Sequence, residues 1–96
     1  MIQPFTNQVS CGTRKDFYRI FSPNGTKTCF ANSGKVAIGG NLSASVLCPG
    51  ANRGQIYYLY QSKYYYSTLR GPFPVGSYDT CFDFGTTVIA KRVHIV

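Results

Sequence analysis

One short phrase occurs twice in this chain. Thr28-Cys29-Phe30 opens a run that ends in Val36-Ala37-Ile38, and Thr80-Cys81-Phe82 opens another that ends in Val88-Ile89-Ala90. The copies lie about half a chain apart. Each passes from Thr-Cys-Phe through small or polar residues into a short apolar strand. Such an echo predicts one supersecondary unit used twice. The chain has 96 residues, which is one domain, and a chain this short has a marginal core.

The rest of the sequence fits strands. Glu is absent, Leu is rare, and no segment sustains the apolar i, i+3, i+4, i+7 pattern of a helix over three turns. Short Tyr, Phe, Val and Ile runs alternate with Gly, Pro and Asn clusters, which is the all-β pattern. Strands are expected near 16–21, 27–31, 35–38 and 44–47 in the first half. Ser22-Pro23-Asn24-Gly25 is a turn, because Asn-Gly tolerates positive φ. Gly39-Gly40-Asn41 reads as a break. Cys48-Pro49-Gly50-Ala51-Asn52-Arg53-Gly54 is a loop that joins the halves. In the second half, strands are expected near 55–60, 64–69, 78–82 and 87–96. In the last of these, Val93 and Ile95 are read as inward, with Ala90, Arg92 and His94 on the opposite face. The prolines of Arg70–Gly76 keep that segment out of a central strand. About eight strands result, a count met by two Greek-key motifs packed as a sandwich, the first about 11–47 and the second about 55–96.

The four cysteines supply what a small core lacks. An even count in a short chain reads as a disulfide framework in an oxidising compartment. Of the three pairings, Cys11–Cys29 with Cys48–Cys81 keeps each bridge mostly within one half. Zinc is disfavoured, since no C-x-x-C pair occurs and His94 stands alone. Met1-Ile2-Gln3-Pro4 lacks the basic start and apolar run of a signal peptide. A secreted protein with this start is expected to be the mature form, and no stretch is long and apolar enough for a transmembrane helix. Asn24-Gly25-Thr26 and Asn41-Leu42-Ser43 are glycosylation sequons.

Charge is lopsided, with 10 Lys and Arg against 3 Asp for a net +7. That field draws the protein toward anionic surfaces, or serves only to keep it dissolved. Catalysis is disfavoured. A nucleophilic triad has one histidine to draw on, and Asp79 and Asp83, four residues apart on a strand, would stand about 13 Å apart, too far for a glycosidase pair.

The densest candidate site is a run of tyrosines. Gln61-Ser62-Lys63, read as a three-residue turn, places Tyr60 opposite Tyr64 and Tyr58 opposite Tyr66. Those four then share one face, and Tyr57, Leu59 and Tyr65 the other. One face is core and the other displays rings with hydroxyl tips, which suit stacking on sugars. The competing reading is packing alone, because cross-strand aromatic pairs stabilise sheets by roughly 0.2–1 kcal/mol each. Lys63, Arg53 and Arg70 flank the run, which also fits a single-stranded nucleic-acid binder. The cysteine framework and the lack of an RNP-like motif count against nucleic acid.

Cys29-Phe30-Ala31-Asn32-Ser33-Gly34 resembles a C-F-A-N-A-G phrase of small single-domain bacterial βγ-crystallins, a group with chitin-binding antifungal, killer-toxin-like and metalloproteinase-inhibitor members. The likeness covers Cys11–Ile38 well and Tyr57–Val96 loosely. It implies two Greek keys in a wedge-shaped sandwich. It also implies a secreted antifungal protein that binds cell-wall polysaccharide, chitin first. The site that the residues themselves offer for this is Tyr57, Tyr58, Tyr60, Lys63, Tyr64, Tyr65 and Tyr66, on a domain expected to act as a monomer without a cofactor. Many βγ-crystallins bind calcium through an N/D-N/D-x-x-S/T-S pattern. Here Asp83, Thr86 and Thr87 match in part, while Lys35 replaces the hydroxyl ligand of the first copy. Calcium wants several carboxylates, so these residues are expected to satisfy backbone groups in a turn instead. The rival from another class is a metalloproteinase inhibitor, presenting Cys48–Gly54 or Arg70–Gly76 as a preorganised loop.

Overall fold

The computed structural model describes residues 7–13 and 15–96. The start Met1-Ile2-Gln3-Pro4 and the basic residue Arg14 lie outside them. The described strands are β1 (Asn7–Val9), β2 (Tyr18–Phe21), β3 (Lys27–Ala31), β4 (Gly34–Cys48), β5 (Gly54–Tyr60), β6 (Lys63–Tyr66) and β7 (Phe82–Ile95). They form one antiparallel set in the order β1-β3-β2-β4-β7-β5-β6. Strands distant in sequence are neighbours in that order, which gives it a Greek-key-like character. No helix among the described residues is long and apolar enough to cross a membrane.

Seven strands are found among the described residues, close to the eight or so expected, but β4 and β7 are built differently from that expectation. The strands expected at 35–38 and 44–47 are one strand, β4, that runs through Gly39-Gly40-Asn41. Gly34–Ala37 pair with Ile95–Arg92, and pairing resumes at Leu42 opposite Ala90. Residues 38–41 therefore bulge out opposite the single residue Lys91, whose Nζ donates to Asn41 Oδ1 at 3.0 Å. β7 has a matching excursion, because Ala44 pairs with Val88 but Val46 pairs with Asp83. Residues 84–87 thus bulge out opposite Ser45. Bulges bend and twist the strand that carries them. Residues 78–81, expected in a strand, are turn and loop, and the strand begins at Phe82. β6 ends at Tyr66 rather than Leu69, β2 starts at Tyr18 rather than Asp16, and β1 is an addition.

The bends fold the sheet over its own inner face. β2 and β5 are separated in the sheet order by β4 and β7, three strand spacings or about 14 Å in a flat sheet. Yet the ring of Tyr18 in β2 lies against Gly54 in β5, where a Cβ would come within 2.9 Å of it. Tyr18, Ile20, Phe30, Ala44, Leu47, Ile56, Val88, Ala90, Val93 and Ile95 form one buried cluster from both halves. That is the two-layer packing of a sandwich. Alternation alone put Ala90 on the face opposite Val93. The bulge at Lys91 shifts the period by one residue, so Ala90 and Val93 are both buried.

The bridges are Cys11–Cys29 and Cys48–Cys81. Register explains both. Val9 pairs with Cys29, and Cys11 follows two residues on, with its Cα 5.3 Å from that of Cys29. Leu47 pairs with Phe82, so the next cross-strand position brings Cys48 and Cys81 together, Cα atoms 4.3 Å apart. Disulfides of this kind persist in oxidising environments.

Candidate functional site

The tyrosines occupy β5, β6 and a turn shorter than expected. Gln61 and Ser62 both have positive φ, 51° and 64°, the backbone of a two-residue turn whose twist matches the strands. Lys63 is therefore the first residue of β6 and pairs with Tyr60, while Leu59 pairs with Tyr64, Tyr58 with Tyr65 and Tyr57 with Tyr66. A shift of one residue exchanges the faces of one strand relative to the other. The expected grouping of Tyr58, Tyr60, Tyr64 and Tyr66 on one face is thus corrected. Tyr58, Tyr60, Lys63 and Tyr65 share one side, and Tyr57, Leu59, Tyr64 and Tyr66 the other.

The two sides differ in role. Ile56 is buried, and Tyr58 and Tyr60, which follow it on the same side, pack against the core. The Tyr58 ring stacks with Tyr65 at 5.6 Å and meets Phe84 edge-on at 5.1 Å. On the outer side Tyr57 lies between two partners. Its ring is parallel to Tyr64 within 8° at a centroid distance of 5.2 Å, and it is tilted against Tyr66 at 4.7 Å. Tyr64 and Tyr66 are 54% and 59% exposed, and Tyr65 on the other side is 42% exposed. A strip of three touching rings, partly held by Tyr57 and open to solvent, is what an amphipathic stacking platform requires. Lys63 is exposed beside the turn, at the far end of the hairpin.

Cations adjoin the strip. Ala37, Arg92, Tyr57 and Tyr66 are directly opposite one another across four strands, and Lys35, His94 and Gln55 form the next row. The Arg92 guanidinium lies 5.7 Å from the Tyr57 centroid. The alternation of β7 already set Arg92 and His94 apart from Val93 and Ile95. Only the strand order reveals that they face the tyrosines, so these residues were not read as part of the site.

The loop residues divide differently. Gly54 and Arg70 exchange both backbone hydrogen bonds at 3.0 Å, and Phe73 N–H donates to the Gly50 carbonyl at 2.8 Å. The Arg70 guanidinium stacks 3.8 Å over Phe82, whose ring also packs with Phe73. Beyond that anchor Val75 stands 85% exposed. The Cys48–Gly54 segment does not project as an inhibitor loop would: Pro49 and Gly50 are buried, and Ala51 N–H and Asn52 Nδ2 donate to the Asp16 carbonyl. Asp83 Oδ1 accepts from Gly85 N–H at 2.6 Å, where Gly85 has a φ of 75°, the backbone-satisfying role expected of it. Thr86 and Thr87 are exposed on the same bulge. The sequon residues Asn24 and Asn41 are exposed and border one shallow cleft of about 400 Å³.

Two groups carry shifted titration. Lys15 hydrogen-bonds Asp79 and holds its carboxyl below the usual aspartate range, assisted by Arg19. Burial pushes the Tyr18 phenol well above its ordinary value, and the nearby Arg70 charge opposes this in part. No group of three or more His, Cys, Asp or Glu side chains among the described residues is placed to hold a metal ion. Comparison of the chain with protein-family models, curated proteins and solved structures found no match.

Proposed function

We propose that this domain is a secreted, non-catalytic binding module that grips a cell-wall polysaccharide on the outer face of the β5–β6 hairpin. The observation that carries this reading is the strip of Tyr57, Tyr64 and Tyr66, in which half-buried Tyr57 on β5 stacks parallel to Tyr64 and the edge strand β6 exposes Tyr64 and Tyr66. Exposed aromatic clusters on a small domain mark interaction surfaces. Flat rings with hydroxyl tips match the apolar faces and hydroxyl rims of sugars. The disulfide pair supports an extracellular setting. The resemblance of Cys29–Gly34 to the βγ-crystallin phrase selects chitin as the first glycan to try and growth inhibition of a fungus as the consequence.

A chitin pull-down with a cellulose control tests the proposal. The Tyr64→Ala, Tyr66→Ala double variant is expected to lose tenfold or more in affinity, about 1.4 kcal/mol. Tyr65→Ala, on the other side of the hairpin, is expected to change it little. Equal loss from both variants, or none from either, rejects the outer-face site.

The inhibitor reading retains one supporting observation, the exposed Val75 flanked by Pro74 and Gly76 on a loop anchored through Phe73. Stoichiometric inhibition of a metalloproteinase, lost in Val75→Asp, would favour it over glycan binding.

A further inference from the structure

We propose that the cleft beside the tyrosine strip is an anion subsite, so that the polysaccharide partner carries a carboxylate or phosphate on the sugar next to the stacked one. This inference rests on the outer-face reading but replaces its neutral first choice, chitin, with an acidic glycan.

Lys35, Gln55, Tyr57, Tyr66, Arg92 and His94 line a cleft of about 180 Å³. That is space for about six waters at ~30 Å³ each, the scale of one ionised group with part of its ring. Tyr57 and Tyr66 form both its wall and one end of the strip, so a chain stacked there has its next sugar over the cleft. Among the described residues the lining has no carboxylate. The three aspartates have other surroundings. Asp79 pairs with Lys15 and Arg19, Asp83 caps the Gly85 turn, and Asp16 lies beside the 49–52 loop. Tyr66 does border a neighbouring cleft that contains Asp83, and Arg70 stands in that cleft with it.

Arg92 is the central group. It lies one strand from Tyr57 and two from Tyr66 in the same row, and its guanidinium is set over the Tyr57 ring. A cation–π contact of this kind draws the guanidinium toward the ring while leaving N–H groups for a ligand. A guanidinium fork binds carboxylate or phosphate through two parallel hydrogen bonds. Lys35 adds a second cation two residues along β4 from the Arg92 row. Gln55 adds an amide that can bond a sugar hydroxyl.

The test compares polygalacturonate with its fully methyl-esterified form, which keeps the sugar backbone and removes the charge. Affinity is measured by calorimetry at low and moderate salt, beside a chitin arm. The acid form is expected to bind at least tenfold tighter, and moderate salt should erode that preference. Arg92→Met should abolish the preference for the acid form. Lys27→Met removes the same net charge elsewhere and should keep the preference. Tyr66→Ala should weaken both forms. Glucuronate and glucose 6-phosphate as competitors identify which anion the cleft prefers. Equal affinity for acid and ester overturns the anion subsite, and so does a preference that survives in Arg92→Met or falls equally in Lys27→Met. If chitin and the ester bind but the acid gains nothing, the subsite fails and the tyrosine platform stands. If no glycan binds, both fail.

Discussion

Arg19 Nη1 lies 3.6 Å from Asp79 Oδ1, although the arginine side chain is 4% exposed and the aspartate 68%. The buried partner is held by its register. Arg19 is directly opposite Cys29 on one side and Cys48 on the other, so its stem runs between the two disulfides. Its guanidinium emerges to donate to the Tyr78 carbonyl and to reach Asp79. One buried cation thereby clips the segment that leads into β7.

Acid should loosen that clip. Asp79 titrates below the ordinary aspartate range in the folded chain because Lys15 and Arg19 favour its ionised form. A folded pKa lower than the unfolded one means that the unfolded state binds more protons as pH falls. The contribution is therefore complete above the ordinary value of about 3.9 and is lost below it. Melting temperatures of wild type and Asp79→Asn are expected to differ near neutral pH and to converge as pH drops through that window. A difference that stays constant to the lowest pH would exclude this role.

Alkali should act through Tyr18. Its phenol is neutral to a higher pH in the folded chain than in the unfolded one. Above the ordinary tyrosine value of about 10 the unfolded state sheds a proton that the folded state keeps, so stability declines from there upward. In an ultraviolet titration of the 8 tyrosines, one is expected to ionise only as the protein unfolds. Tyr18→Phe should remove that late step.

The hairpin turn is open to improvement. Gln61 and Ser62 both sit in the left-handed region, which costs a non-glycine residue roughly 1–2 kcal/mol. The pair Gln61→Asn, Ser62→Gly suits this turn. It should raise stability by about 1 kcal/mol, or ~4–8 °C in Tm for a domain of this size. A three-residue turn would gain nothing from the change, so thermal melting also checks the register.

Gly54 marks the point where the two layers touch. An added Cβ would come within 2.8 Å of the His94 carbonyl oxygen and 2.9 Å of the Tyr18 ring. The carbonyl is backbone in a paired strand and cannot yield. Gly54→Ala is expected to cost about 1–3 kcal/mol, the usual penalty of overpacking, read as a fall in the urea midpoint with little change in slope.

Much of the architecture was legible because it depends on short-range patterning. Alternation sets Tyr18 and Ile20 on one face of β2 and Arg19 and Phe21 on the other, and keeping each bridge mostly within one half paired the cysteines. The hairpin register was not legible. Its turn lacks the Gly or Asn that normally marks left-handed backbone, and Lys63 looked like part of the polar loop. That single residue decided which tyrosines share a face. Gly39-Gly40-Asn41 misled in the opposite sense. The triplet looks like the end of a strand, but β7 supports the chain on both sides of it, so the strand bulges and continues. The role of Arg92 and Lys35 needed the strand order, since the residues they adjoin are distant in sequence.

The length and position of β4 and β7 also set how this chain must acquire its structure. Each lies at the middle of the sheet order, and they pair along nearly their whole length. Their pairing joins segments roughly half a chain apart and links the β1–β3–β2 side of the sheet to the β5–β6 hairpin. Neither half can complete a core alone, because Ala44 and Leu47 are covered only once Val88, Ala90 and Val93 arrive. Loop closure on that scale comes before the burial that rewards it, so this topology belongs to the slow, millisecond-to-second class of folders. A nascent chain truncated before Phe82 could pair β1, β3, β2 and β4 but would leave Ala44 and Leu47 without the Val88, Ala90 and Val93 that complete their cluster.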